Sequence, residues 1–326
     1  MLNKYKGCLL GLAVGDALGG AVEFMPSSEI KNKYGEGGIQ DFDEWGRFRA
    51  GSYTDDTQMT LATAKGCIKA AEDWKTDGVF EPTPYVYREY LSWLETQNDP
   101  FERRAPGNTC LSALGSGFMG TIENPINNSK GCGGVMRTAP VGLVFGRDVA
   151  FLEGAKYAAM THGYPSGYLP AGFLAEMISW IVEDIKLQEA IYESKKTLVL
   201  YDGYEETLEK VELAEKLSAN NDRVEDAIAA LGEGWVGEEA LGIAIYCALK
   251  FADDFRGGMF AAVNHSGDSD STGSITGAIL GTLLGVEAIP VSWIERLENS
   301  VDIEKIASKM FRIFKEQPSG WLQGKD

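Results

Sequence analysis

Glycine recurs at every fourth position in two parts of the sequence, and this spacing constrains the fold more than any other feature. The two repeats comprise Gly7, Gly11, Gly15 and Gly19 near the N-terminus, and Gly273, Gly277, Gly281 and Gly285 late in the chain. On an α-helix this spacing places the glycines along one face, where a second backbone can approach closely. Each glycine in a helix costs about 0.5–1 kcal/mol relative to alanine, so close packing has to offset that cost. We therefore expect two buried helices near the centre of a helical protein.

The spacing of apolar residues indicates helices through most of the remaining chain. Apolar residues recur at intervals of three and four in segments 57–71, 85–94, 150–160, 172–185 and 303–314. The alternation that is typical of a β-strand is nearly absent, and 197–201 is the only modest candidate. Because no stretch rich in Pro, Gly and Ser separates these segments, we expect an all-α fold in a single domain over residues 1–326.

The charge balance of the chain is strongly acidic. Its 326 residues include 30 Lys and Arg against 48 Asp and Glu, which gives a net charge of −18. Such a surface repels phosphate backbones and anionic lipids, so we expect no binding to nucleic acids or membranes. Hydrophobic residues at 44% and charged residues at 24% match an ordinary globular protein and exclude the disordered and fibrous classes.

The cysteines and the apolar runs indicate a cellular location. The five cysteines are scattered without a CxxC pair, a usage typical of a reducing compartment that provides neither a disulfide framework nor a thiolate zinc site. The apolar N-terminal stretch contains Asp16 and lacks a convincing cleavage site, so we expect no signal peptide. The other apolar run, 275–286, is too short to span a bilayer. We expect a cytoplasmic protein.

Two acidic segments stand directly before predicted helices. The first contains Thr54, Asp55 and Asp56, and the second contains Asp268, Asp270 and Ser271. Taken alone, the first is also explained by capping and by attraction to the helix dipole, and this alternative stays open. The second offers hard oxygen ligands of the kind that Mg²⁺ or Ca²⁺ prefers, without the spacing of an EF-hand.

Convergence of the two helix starts would bring four carboxylates and two hydroxyls into one pocket. That concentration of negative charge is costly unless cations neutralise it, and one or two Mg²⁺ ions would do so. A further carboxylate, Glu23, follows Gly19-Gly20 at the end of the first predicted helix.

Two further elements could bind a substrate. The turn Gly131-Cys132-Gly133-Gly134 precedes a predicted helix and suits backbone contact with phosphate, although it matches neither a P-loop nor a dinucleotide fingerprint. His162 lies in a glycine-containing turn, where a histidine is commonly structural, but its place beside the candidate site favours ligand binding.

Together these segments resemble the ADP-ribosylglycohydrolase family. The resemblance rests on 7–24, 51–61, 131–140, 161–172 and 264–285, which occur in the family's order. It implies a compact all-α orthogonal helical bundle in one domain, with a binuclear Mg²⁺ centre that Mn²⁺ could also occupy. It further implies hydrolysis of an N- or O-glycosidic bond at C1″ of an ADP-ribosyl group.

The resemblance also assigns roles to residues of this chain. The implied metal ligands are Thr54, Asp55, Asp56, Asp268, Asp270 and Ser271. The implied catalytic carboxylates are Glu23, Asp56 and Asp268. The implied substrate contacts are Asn108, Gly131, Gly133, Gly134 and His162. Cys132 stands where many members of the family have asparagine.

The leading hypothesis is a metal-dependent hydrolase that removes ADP-ribose from modified protein side chains, with ADP-ribosyl-arginine as the favoured substrate. Its partners would be an ADP-ribosylated protein or ADP-ribose. An alternative is an immunity protein that neutralises an ADP-ribosyltransferase toxin by binding as well as by hydrolysis, with loops 31–49 or 201–234 in contact with the toxin. A third is a non-catalytic relative, against which the intact acidic motifs argue.

Overall fold

Helices supply almost all regular structure in the computed structural model, which describes residues 1–77 and 80–316. Within these ranges the α-helices are α1 (Leu2–Gly19), α2 (Ser27–Tyr34), α3 (Asp55–Asp77), α4 (Thr83–Thr96), α5 (Asn108–Gly115), α6 (Ala139–Val144), α7 (Arg147–Ala159), α8 (Pro165–Val182), α9 (Leu187–Leu198), α10 (Glu205–Ala219), α11 (Val224–Leu231), α12 (Gly237–Lys250), α13 (Phe255–Val263), α14 (Ser269–Leu284), α15 (Val291–Arg296) and α16 (Ser300–Phe311). A 3₁₀ helix spans Cys132–Arg137. The described residues contain two isolated β-bridges and no strand, which confirms the all-α fold.

The modest strand prediction at 197–201 is wrong. The first two of these residues end α9, the third, Val199, is its C-cap, and turns follow. The buried side chains of α9 lie three and four residues apart through Ile191, Ser194 and Leu198, so helical periodicity continues to the end of that helix. Of the predicted domain 1–326, residues 78–79 and 317–326 lie outside the described ranges.

The two glycine repeats form one antiparallel contact between α1 and α14. A Cβ atom built on Gly11 would lie 2.3 Å from the carbonyl oxygen of Gly277, and one built on Gly277 would lie 2.0 Å from that of Gly11. Real Cβ atoms do not approach backbone this closely, so the two backbones touch along the repeat. Every residue of α1 from Gly7 onward is buried. The prediction of two buried, closely packed helices is confirmed.

The other helices pack around this pair. The α3 helix packs against α4 and α16, α7 packs against α8, and α12 lies between α10 and α14. One continuous apolar cluster joins them, and it includes Tyr5, Met59 and Phe173. None of the described helices is long and apolar enough to cross a membrane.

The contact between α1 and α14 also brings the acidic segments together. A Cβ built on Gly19 at the end of α1 would meet the carbonyl oxygen of Ser269 at 2.2 Å and the Cα of Asp270 at 2.5 Å. The start of α14 is therefore held against the end of α1, four residues before Glu23. The α3 and α14 helices both pack against the 3₁₀ helix that contains the glycine turn.

Candidate active site

Asp16 of α1 fixes the start of α3 and with it the first acidic segment. Asp16 is fully buried, and its carboxylate accepts hydrogen bonds from the backbone N–H groups of Thr54 at 2.8 Å and Thr57 at 2.9 Å, and from the Thr57 hydroxyl at 2.5 Å. The carboxylate therefore satisfies backbone donors that a helix start leaves without partners. Because Asp16 performs the capping, the side chains of Asp55 and Asp56 are left for another role.

Asp268 fixes the start of α14 in the same manner. Its side chain accepts the backbone N–H of Ser271 at 3.3 Å, and it also accepts the thiol of Cys132, with 2.9 Å between Sγ and Oδ2. Asp270 accepts the same Ser271 N–H at 3.0 Å. All three residues of the second acidic segment and Cys132 are buried. Asp268 is therefore the N-cap of α14, and Asp270 lies in the first turn of that helix.

The two acidic segments line one cavity of about 200 Å³. It receives Glu23 from the end of α1, Asp55 and Asp56 from α3, and Asp268, Asp270 and Ser271 from the start of α14. Thr54 does not line it. This residue is fully buried, and its hydroxyl accepts the backbone N–H of Asp56 at 3.3 Å. The convergence expected from the sequence is therefore present, with Thr54 one layer behind the surface of the cavity.

Burial and mutual repulsion raise the pKa of these carboxyl groups. Burial is the largest cause at each position, and the charges of neighbouring carboxylates add to it, so the pKa values of Asp55, Asp56 and Asp270 lie well above the usual range. The same causes raise the pKa of Glu23 to about 9. Without a compensating positive charge, this cavity favours protonated carboxyl groups.

The donor set suits a hard cation. Oδ2 of Asp56 is buried and has no hydrogen-bond partner, which is costly for a carboxylate oxygen unless a cation contacts it. In the described ranges no three His, Cys, Asp or Glu side chains are grouped so that they could hold a metal ion as they stand. The Asp268 carboxylate instead accepts the thiol of Cys132, and the Asp270 carboxylate accepts the backbone N–H of Ser271. A bound cation would replace these hydrogen bonds. The set of carboxylate and hydroxyl oxygens fits Mg²⁺ or Mn²⁺.

The substrate contacts expected from the sequence line the same cavity, with one exception. Asn108, Gly131, Gly133 and His162 all line the cavity. Gly134 does not, because it packs behind the turn, where an added Cβ would meet the carbonyl oxygen of Gly167 at 2.4 Å. The 3₁₀ helix places Gly131 beside Val236 in an isolated bridge, which ties the turn to the segment before α12.

An aromatic pair stands at the edge of the cavity beside Glu23. The rings of Phe24 and Trp235 stack with centroids 5.0 Å apart and planes 18° apart. Trp235 lines the cavity, and its indole N–H donates to the Glu233 carboxylate at 3.0 Å. Phe24 is 69% exposed and has a φ of 65°, a left-handed conformation that is uncommon for a bulky residue.

Several residues of the site were missed by the sequence analysis. Asp16 carried a signal, since it is a charged residue inside a glycine-striped apolar helix. Trp235 and the buried pair of Arg137 and Thr161, which lies behind His162, carried none, because their positions depend on contacts across the fold. Cys132 was noted only as a departure from the family, and its thiol is in contact with Asp268.

Comparisons with known proteins agree over almost the whole chain. A family model described as ADP-ribosylglycohydrolase matches residues 1–320. The ADP-ribosyl-dinitrogen reductase glycohydrolase of Rhodospirillum rubrum is 27% identical, over 93% of this chain and 92% of that protein. The ADP-ribosylarginine hydrolase Tri1 of Serratia proteamaculans is 26% identical, over 97% of this chain and 81% of that protein.

A solved structure described as an ADP-ribosylglycohydrolase-related protein complex shares the fold. It superposes with a TM-score of 0.67 and 24% sequence identity, and the match covers 96% of this chain and 98% of that one.

Proposed function

The chain belongs to the ADP-ribosylglycohydrolase family, and we propose that it hydrolyses the glycosidic bond between ADP-ribose and a modified protein side chain. The observation that carries the proposal is the cavity in which Glu23, Asp55, Asp56, Asp268 and Asp270 meet. Cleavage of a glycosidic bond passes through an oxocarbenium-like transition state, which nearby negative charge stabilises.

We further propose that the activity depends on Mg²⁺ or Mn²⁺. The residues that would hold the cations are Asp55, Asp56, Asp268, Asp270 and Ser271, with Thr54 behind them. When bound, the cations would supply the positive charge that offsets the buried carboxylates and would orient the sugar. The unpaired Oδ2 of Asp56 supports this assignment.

Glu23 is the carboxylate best placed to move a proton. It lies just after the end of α1, outside both acidic helix starts, and lines the same cavity as Asp270. In this position it can take a proton from the attacking water or give one to the leaving side chain. Its neighbour Phe24 and Trp235 then cover the side of the cavity from which the modified side chain enters.

The edge of the cavity supports arginine as the acceptor. An aromatic face attracts a guanidinium group through a cation–π interaction, and Glu233 adds a carboxylate next to Trp235. A serine or asparagine linkage would gain neither interaction. The printed name of the Serratia relative, an ADP-ribosylarginine hydrolase, agrees with this choice.

The acceptor is tested with defined substrates in which ADP-ribose is linked to arginine, serine or asparagine, each with and without Mg²⁺. We expect the highest kcat/KM on the arginine linkage. Phe24→Leu should lower the ratio of arginine to serine activity by about tenfold, since a partly desolvated cation–π interaction is worth about 1–2 kcal/mol. Phe118→Leu, at another exposed phenylalanine, is the control and should leave the ratio unchanged. A preference for serine or asparagine would overturn the choice of acceptor.

Hydrolysis, rather than binding to a toxin, is the function we propose. The segments expected to contact a toxin are each anchored on the body of the protein by a few buried side chains and expose many of their other residues. In 201–234, α10 and α11 pack against α12, and in 31–49 the side chains of Ile39 and Phe42 are buried. No contact of the described residues points to a toxin, so no specific observation favours the immunity role over hydrolysis, and that role stays an alternative.

A further inference from the structure

His162 is a buried histidine with one ring nitrogen bonded and the other without a partner. The side chain is 1% exposed and lines the acidic cavity. Its Nδ1 lies 2.8 Å from the hydroxyl oxygen of Thr161. In the part of the chain that the structure describes, Nε2 has no hydrogen-bond partner. Because the side chain lines the cavity, this unpaired ring nitrogen is open to a hydrogen bond with a ligand.

Arg137 determines the direction of the hydrogen bond between Thr161 and His162. Arg137 is fully buried, and its guanidinium donates to the Thr161 hydroxyl oxygen at 2.6 Å and to the carbonyl oxygen of Tyr157 at 3.1 Å. Because a guanidinium has only donors, the Thr161 oxygen accepts from it. The single hydroxyl proton then has two acceptors within reach, Nδ1 of His162 at 2.8 Å and the carbonyl oxygen of Ala158 at 3.4 Å. The shorter contact is the stronger hydrogen bond.

The tautomer of His162 follows from this geometry. When Nδ1 accepts a proton from Thr161, a neutral imidazole carries its own proton on Nε2. Burial and the charge of Arg137 lower the pKa of His162 to about 3, so the ring is neutral at neutral pH. A neutral ring forms no ion pair with the cavity's carboxylates, which leaves its Nε2–H free for a ligand.

The glycine turn keeps the Nε2 edge of the ring accessible. A Cβ atom built on Gly131 or Gly133 would lie 3.4 Å or 3.3 Å from Nε2 of His162, so larger residues in the turn would crowd this edge. The turn and the histidine therefore form one wall of the cavity, with backbone groups and the Nε2–H facing the same space.

We propose that Arg137 and Thr161 are positioning residues that hold His162 as a neutral Nε2–H donor to an oxygen of the bound ADP-ribosyl group. The inference rests on the proposed function for the identity of the ligand. The resemblance already implies the substrate contact of His162, and the proposal adds its tautomer and the two residues that set it. This tautomer excludes His162 as a proton acceptor in catalysis, which leaves that task to the carboxylates. It also accounts for an arginine that is fully buried without a carboxylate partner among the contacts described above.

The test is ¹⁵N NMR of the imidazole groups in the full chain. The chain has two histidines, His162 and His265, and the spectrum of His162→Gln assigns them. We expect His162 to be protonated on Nε2 alone and to stay neutral from pH 8 to pH 5. Saturating ADP-ribose should shift the Nε2 resonance more than the Nδ1 resonance.

We call the chain of hydrogen bonds from Arg137 through Thr161 to His162 the relay. Substitution of Thr161 distinguishes this relay from a role of the side chain in packing alone. Thr161→Val retains the shape but removes the hydroxyl, so we expect a mixture of His162 tautomers and ADP-ribose binding weakened by about tenfold. Thr161→Ser should restore both properties. Thr276→Val is the matched control, because that buried hydroxyl bonds only within α14, to the carbonyl oxygen of Thr272.

Each opposite result has a definite meaning. A proton on Nδ1, a charged ring at pH 6, or an unchanged tautomer in Thr161→Val would overturn the relay. The protein could hydrolyse ADP-ribosyl substrates while the Nε2 resonance stays unchanged on addition of ADP-ribose. That result would overturn the donor role and leave the proposed function intact. A wild-type protein that neither binds ADP-ribose nor releases it from substrates would overturn the proposed function and the donor role together. The tautomer of His162 in the free protein would still test the relay.

Discussion

Two neighbouring regions of the molecule differ in how their buried groups are stabilised. One is the glycine-lined contact between α1 and α14, and the other is the acidic cavity at the end of that contact. Along the contact, each backbone packs directly on the other and carries no charged side chain between Gly7 and Gly15. One turn further, the same two helices deliver Glu23 and Asp270 into a cavity with at least three more buried carboxylates. The contact is stable as packed, whereas the cavity holds charge that its own residues do not neutralise.

The difference indicates how the fold supports an unfavourable site. Buried carboxylates repel one another and lose hydration, so they would separate if their helices could move. Close backbone packing restricts that movement, because a shift of α14 along α1 would bring the glycines out of register. We therefore expect substitutions in the cavity to affect turnover and substitutions in the contact to affect stability.

Removal of one cavity carboxylate should give the largest effect on turnover. Asp56→Asn keeps the size of the side chain and removes its charge. We expect turnover to be abolished and cation binding to weaken, with the melting temperature of the cation-free protein unchanged or raised because a repelling buried charge is gone. Initial rates and thermal unfolding of one preparation measure both.

Asp302→Asn is the matched control, since Asp302 is an exposed aspartate in the first turn of α16. Its loss should cost about 0.3–1 kcal/mol of stability and leave turnover alone. If Asp56→Asn behaved as this control does, Asp56 would be only a helix-start residue and the comparison between the two regions would fail.

Glu23→Gln should give the next largest effect. The amide keeps the size and hydrogen-bonding ability of Glu23 but cannot accept the proton. We expect kcat to fall by roughly 10²–10⁴, with ADP-ribose binding and cation affinity nearly retained. Glu29→Gln, at an exposed glutamate of α2, serves as the control. Wild-type kcat in Glu23→Gln would transfer the proton-moving role to the aspartates of the helix starts.

A methyl group in the helix contact should give the smallest of the three effects. In Gly277→Ala the new Cβ would lie 2.0 Å from the carbonyl oxygen of Gly11, so the helices have to separate. We expect a net loss of about 1–3 kcal/mol in the free energy of unfolding, despite the gain of about 0.5–1 kcal/mol in helix propensity. Urea unfolding measures it. Gly115→Ala, at the exposed end of α5 with open space around it, should cost nothing. Equal stability of both variants would show that the backbones do not touch.

The sequence predicted those parts of the molecule that depend on local patterns. The recurrence of glycine at every fourth position predicted two buried, closely packed helices near the centre, and apolar periodicity predicted the helical class. The two acidic segments stand at helix starts, and the resemblance to the family implied that they converge on one site. Their convergence depends on the register of α1 against α14. The glycine contact sets this register, since it holds Gly19 against the backbone of Asp270.

Other features of the site depend on contacts between distant segments and had no local signal. Thr54 and Gly134 were expected at the surface of the site and lie behind it, because Asp16 and Gly167 pack against them. The stack of Phe24 on Trp235 joins residues more than 200 positions apart. The relay from Arg137 to His162 likewise requires the end of α7 to fold back on the 3₁₀ helix.

The central claim is that the acidic cavity hydrolyses ADP-ribosyl groups only when cations offset its charge. The most direct measurement is the rate of ADP-ribose release from an ADP-ribosyl-arginine substrate by protein stripped with EDTA, with metal removal verified, before and after addition of Mg²⁺ or Mn²⁺. We predict no turnover before addition and full recovery after it. Full turnover by the stripped protein would contradict the account.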